Sequence, residues 1–282
     1  MTLFLSFRTH PVGGGNATPT EALELASPDA ELSFTRVPFP QLSQRAAGRH
    51  VLFATHGFNV HLDPGARSLA RLEARIAPIP RELFIGVLWP GDWWIPAINY
   101  PFAGGPAMAA GRGLAVLCNQ WLGDAASVSF VSHSLGARVI LEASRATRMK
   151  PRNVCVTAGA VNRDCFVSEY SAAQKNASSI SNLASDKDLV LQLAYPVGDP
   201  FADILNDDHA FFKAALGRRG PARPVPANTS PAQIPSGLEY GHGNYLPPGD
   251  AEPAPDLNAK WPNAADFMAR AFRQQSQTWP PR

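Results

Sequence analysis

Ser134 is the residue of this sequence best placed to do chemistry. It stands in Ser132-His133-Ser134-Leu135-Gly136, after the run Val128-Ser129-Phe130-Val131, which has strand composition. Ala137-Arg138-Val139-Ile140-Leu141-Glu142-Ala143 follows and has helical character. A serine on a sharp strand-to-helix turn is pushed out above the sheet edge, and small flanking residues let neighbouring backbones pass closely. The usual pattern is G-x-S-x-G; here serine, nearly as small as glycine, holds the first position as Ser132. A hydroxyl is a weak nucleophile at neutral pH. It needs a base within hydrogen-bond reach, a third group to fix the base's tautomer, and N–H donors for the developing oxyanion.

In one known arrangement built on such a turn the partners come later in the chain, Asp or Glu first and then His, and the residues after Ser134 can supply that order. Of the seven histidines, His10 and His50 precede the sheet core, and His61 sits just before a helix, so these three read as surface residues. His56 and His133 flank the presumed oxyanion elements and read as structural. His209 lies in Asn-Asp-Asp-His-Ala-Phe-Phe, the pattern of a helix start; His242 lies between two glycines in a late loop, free to approach Ser134. His242 is therefore the expected base. Asp188, at a strand end and followed by Leu189-Val190, is the expected acid, with Asp186 the alternative and Asp164 a third choice. The expected oxyanion donors are the backbone N–H groups of Leu135, directly after the nucleophile, and Phe58, after His56-Gly57. His56 and His61 do not form an H-E-x-x-H pair, so no metal site is expected.

The elements that must position these residues alternate between strand and helix. Val51-Leu52-Phe53-Ala54 is a continuous apolar run of the kind buried in a parallel sheet, and it ends in Thr55-His56-Gly57-Phe58-Asn59. A helix from an Asp63 cap to Ile76 follows, then a second buried strand, Leu83 to Trp89, ending at Pro90-Gly91-Asp92. Ala107 to Leu122 reads as a helix, Asn153 to Ala158 as a strand, Ser178 to Ala184 as a weaker strand, and Ala264 to Gln275 as a closing amphipathic helix. At the start, Leu3–Phe7 and Leu32–Val37 read as strands, with a Gly-rich loop and a short helical patch, 19–25, between them. Gly13-Gly14-Gly15 lacks the spacing of a dinucleotide-binding fingerprint. The pattern predicts an α/β fold with a mainly parallel, doubly wound sheet, helices on both faces, and ligands at the carboxyl ends of the strands. One domain over 1–282 is expected, with an aromatic-rich loop at 92–106 and a Pro/Gly-rich segment at 218–262.

A formal charge of +2 in 282 residues gives no argument for nucleic acid as a partner, and no apolar stretch reaches the roughly 18 residues a membrane span needs. Cys118, Cys155 and Cys165 lie in or beside apolar segments without metal-type spacing. Buried thiols in a reducing compartment, hence a soluble cytoplasmic protein, are the expectation.

Together, His56-Gly57-Phe58-Asn59-Val60, Leu88-Trp89-Pro90, Ser132-His133-Ser134-Leu135-Gly136-Ala137-Arg138-Val139 and Gly241-His242-Gly243-Asn244-Tyr245 resemble the α/β-hydrolase superfamily. More narrowly, they are similar to a largely uncharacterised bacterial branch with esterase/lipase-like members. That branch carries W-P-S where this chain has Trp89-Pro90-Gly91. The resemblance spans roughly residues 49–246. It implies hydrolysis of an ester or related acyl bond through an acyl-enzyme, without metal or organic cofactor. The expected substrate is a small or medium acyl ester, and Trp93 and Trp94 of the aromatic-rich loop are read as an acyl-binding wall or lid, or as packing that loop onto the core. Acyl transfer on the same triad and a non-catalytic binding module are the competing expectations, since fold alone does not fix function.

Overall fold

The computed structural model describes residues 1–9, 18–92, 104–193 and 214–280. Among these residues nine strands form one sheet: β1 (Thr2–Ser6), β2 (Ala22–Leu25), β3 (Phe34–Val37), β4 (His50–Thr55), β5 (Glu82–Leu88), β6 (Ser127–His133), β7 (Val154–Thr157), β8 (Ile180–Ser185) and β9 (Thr229–Ile234). Their order is β3-β2-β1-β5-β4-β6-β7-β8-β9. Only β2 runs against its neighbours β1 and β3; every other pair is parallel.

The central strands carry apolar side chains on both faces because helices cover both. The helices are α1 (Phe39–Ala46), α2 (Leu62–Ile76), α3 (Gly104–Trp121), α4 (Gly136–Ala146), α5 (Ser171–Asn176), α6 (Leu189–Leu193), α7 (Leu216–Arg219) and α8 (Trp261–Phe272). One layer groups α3 with α4, α5 against α4 and α1 against α3; in the other, α2 packs on α8. A Cβ on Gly111 of α3 would lie 2.4 Å from the Val139 carbonyl oxygen of α4, so the two helices meet backbone to backbone. In the sheet, Phe53 of β4 pairs in register with Phe130 of β6, their rings 5.6 Å apart. That pair locks the two strands whose ends carry His56 and Ser134.

Three local expectations need correction. Residues 22–25 form a strand rather than part of a helical patch. So short a segment gains little as a helix, whereas beside β1 its backbone groups find partners. Helix α2 is capped at His61, two residues before Asp63. The late segment contains β9, disguised by Pro231, which the sheet tolerates because β9 is its edge. Helix α1 was not expected from the sequence; its signal is the apolar spacing Phe39, Leu42, Ala46, all buried. No helix among the described residues is long and apolar enough to cross a membrane.

Candidate active site

Because β4, β6, β7, β8 and β9 are parallel neighbours, their carboxyl ends share one edge of the sheet, and the site gathers there. Ser134 follows β6 with φ 55°, a left-handed conformation that costs a non-glycine residue roughly 1–2 kcal/mol. The turn is held on three sides. Ser134 N–H donates to the Thr157 carbonyl at 3.1 Å, and the Ser134 carbonyl accepts from Ala137 and Ala160, each at 3.1 Å. Two glycines are required by close approach. A Cβ on Gly136 would lie 2.4 Å from the His56 carbonyl oxygen, and one on Gly57 would lie 2.9 Å from the Ser134 Cβ.

Ser134 Oγ and His242 Nε2 are 2.7 Å apart, and His242 Nδ1 and Asp188 Oδ2 are also 2.7 Å apart. Asp188 is fully buried, and its other oxygen accepts the Leu191 N–H at the start of α6, at 3.0 Å. An ionised carboxylate only accepts, so the Nδ1 of His242 carries the proton and its Nε2 is left to accept from the serine hydroxyl. Asp186 instead accepts from Ser236 Oγ at 2.6 Å. Asp164, after β7, sits in the turn whose carbonyl receives the Val167 and Ser168 N–H groups.

The loop bearing His242 is a short 3₁₀ turn, His242–Asn244, pinned at several points. Asn244 Oδ1 accepts the Gly241 N–H at 2.8 Å, and Ser185 Oγ at the end of β8 donates to the Tyr240 carbonyl at 2.8 Å. His133 Nε2 donates to the His242 carbonyl at 2.8 Å, its ring 4.7 Å from that of His242. Tyr245, fully buried, packs against His133 and Tyr240. Burial, then the proximity of His242, lowers the His133 pKa to about 3, so its imidazole is neutral and stays a fixed donor.

His56 arranges the opposite wall. Its Nδ1 donates to the Gly57 carbonyl at 2.9 Å, its Nε2 accepts the Trp89 N–H at 3.3 Å, and its ring stacks on Trp89. Burial, and next the charge of Arg8, lower its pKa to about 3. Because the peptide is planar and trans, tying the Gly57 carbonyl to His56 turns the Phe58 N–H the opposite way, away from that ring. Leu135 N–H lies at the start of α4, and no backbone carbonyl among the described residues accepts it.

His61 is more than a surface residue: its Nδ1 lies 2.7 Å from Asp92 Oδ2, while Asp92 Oδ1 lies 2.6 Å from Arg8 Nη1. Asp92 is fully buried, and this cluster ties the end of β1 to the segments after β4 and β5. The sequence signal was a lone carboxylate directly beyond a buried strand. His50 also has a partner, Ser127 Oγ at 2.8 Å across the β4–β6 pair. Trp93, Trp94, His10, His209 and Gly13–Gly15 lie outside the described residues. A cleft of about 1000 Å³ runs from Gly57, His133 and Gly243 along α2, walled by Pro247 and Pro255. Among the described residues, no group of three or more His, Cys, Asp or Glu side chains could hold a metal ion.

The sheet order, the turn carrying Ser134, and partners following in the order Asp then His define the α/β-hydrolase fold. No protein-family model matches the chain, and no curated protein matches it. Among solved structures it is similar to an esterase of Pyrobaculum calidifontis, at 13% identity and a TM-score of 0.42, covering 91% of this chain and 87% of that one. Acetyl xylan esterase 1 from Thermoanaerobacterium sp. JW/SL YS485 matches at 13% identity and TM-score 0.42, covering 89% of this chain and 86% of its own. Esterase PE8 matches at 13% identity and TM-score 0.41, covering 82% and 95%. These are distant likenesses, and the chemistry of the site follows from its own geometry.

Proposed function

We propose that this protein hydrolyses a carboxylic ester of small or medium acyl chain, with Ser134 as nucleophile, His242 as base and Asp188 as the acid that orients it. The observation that carries this reading is the unbroken chain of two 2.7 Å contacts ending on a serine at φ 55°. His242 Nε2 takes the hydroxyl proton as Ser134 Oγ attacks the ester carbonyl. The tetrahedral oxyanion forms between the N–H groups of Leu135 and Phe58, each donor being worth roughly 2.7–4 kcal/mol in such sites. The C–O bond then breaks, His242 returns the proton to the departing alcohol, and an acyl-Ser134 ester remains. Water, activated by the same histidine, attacks that ester and releases the acid with free Ser134. The proline-walled cleft supports a substrate with an apolar part, and one domain suffices for the whole cycle.

The test is intact-mass labelling with a fluorophosphonate, which phosphonylates an activated serine. Wild type should take one adduct, and both Ser134→Ala and His242→Ala should take none. Graded acyl esters, with and without an added alcohol acceptor, then separate hydrolysis from acyl transfer by their products. A folded wild type that takes no adduct would overturn the enzymatic reading in favour of a binding module.

A further inference from the structure

We propose that the protein carries an anion site, distinct from Ser134, that binds a phosphate group between Arg163, Arg219 and Arg223. The three arginines line a cleft of about 590 Å³ between the 219–225 loop and strand β9. Among the described residues, no carboxylate lines that cleft and none of the three arginines makes an ion pair. Arg163 is half-buried, and its Nε is enclosed without a hydrogen-bond acceptor; its Nη2 reaches only the Pro221 carbonyl, at 3.5 Å. Arg219 and Arg223 are exposed, so a ligand can approach all three from solvent.

Like charges brought together without a counter-charge repel, and a buried guanidinium donor without an acceptor is costly. Both costs disappear when one small anion occupies the cleft. Guanidinium groups present planar forks of N–H donors that match phosphate oxygens, and a phosphate group offers three terminal oxygens, one for each arginine here. A carboxylate offers two.

The site is also built rather than incidental. The Arg163 backbone is fixed on both sides: its N–H donates to the Ala214 carbonyl at 3.1 Å, and its carbonyl accepts the Ala222 N–H at 2.7 Å. Arg163 closes the stretch in which Ala160 donates to the Ser134 carbonyl, so an anion held there would brace the support of the Ser134 turn.

Calorimetric titration tests this, with inorganic phosphate, phenyl phosphate and succinate as probes at constant ionic strength set by chloride. It uses Ser134→Ala protein, so that binding is read independently of the hydrolase reading. Saturable 1:1 phosphate binding is expected, weakened at least tenfold by Arg163→Gln and by Arg223→Gln. Phosphate should also raise the melting temperature of the parent protein and leave that of Arg223→Gln unmoved. Because Arg223 is exposed, that variant should melt with its parent when phosphate is absent. Phenyl phosphate binding as tightly as inorganic phosphate would mark a phosphomonoester ligand; inorganic phosphate alone would mark the free ion, and either outcome supports the site. Succinate binding more tightly than phosphate, no saturation, or equal binding by the arginine variants would overturn it.

Discussion

Asp188 and Asp186 are two residues apart, carry the same side chain, and differ in what they touch. Asp188 is enclosed, with one oxygen on His242 and the other on the Leu191 N–H, whereas Asp186 bonds Ser236. Only the first can fix the tautomer that leaves His242 Nε2 as an acceptor. Asp188→Asn should present an amide where the ring proton needs an acceptor, and a flipped tautomer follows. A loss of about 10⁴-fold in kcat is expected, the size seen when a triad aspartate becomes asparagine. Asp186→Asn should keep activity within about threefold, because it loses only a partly exposed hydrogen bond. Ester kinetics on the two variants, with circular dichroism to verify folding, decide the matter. A large loss in Asp186→Asn with Asp188→Asn active would reassign the acid.

At the scale of elements, two strand ends and one helix start must meet at backbone distance, and glycine is what allows it. Gly136 at the head of α4 presses on the His56 carbonyl at the end of β4. Gly136→Ala should cost about 1–3 kcal/mol through forced backbone shifts, and should also disturb the Ser134 turn. Gly243, next to His242, has nothing within 4 Å of a built Cβ, and Gly243→Ala should melt with the wild type. Urea unfolding of the pair checks both; equal midpoints would remove the close-approach argument.

The same contrast explains what could be read from the sequence. The β4 and β5 strands were legible because burial on both faces demands continuous apolar runs, and β6 was legible from the strand composition of Val128-Ser129-Phe130-Val131. Gly57 and Gly136 were legible as members of tight turns. Strand β9 was not, because an edge strand tolerates Pro231 and shows alternating exposure. Strand β2 was hidden because its reason for being a strand is β1, a partner distant in sequence. The contacts of Asp188 and Asp186 depend on Ser236 and His242 in that same late segment, so spacing alone left both aspartates open.

Across the whole molecule, the site is assembled over two imidazoles that are buried without charge, and this sets how stability responds to acid. His56 and His133 have pKa values lowered from 6.5 to about 3, each chiefly by burial. Between those values the unfolded chain binds protons that the folded chain refuses, so the stabilisation present above pH 6.5 is lost as pH falls toward 3. The loss is about 1.4 kcal/mol per pH unit for each histidine once the pH is well below 6.5, or roughly 2.7 for the pair. Glu73 and Glu142, whose pKa values burial raises, act with the opposite sign, and Glu82, lowered through Arg273, acts with the histidines. A variant is therefore needed to isolate the imidazole contribution. His133→Gln keeps an N–H donor for the His242 carbonyl and cannot be protonated, while leaving every carboxylate in place. Melting temperature measured from pH 7 to pH 4 should fall with pH in the wild type, and the fall should be shallower in His133→Gln by the contribution of one buried imidazole. An unchanged slope in that variant would mean that His133 takes up its proton in the folded state, and the neutral support beneath His242 would have to be abandoned.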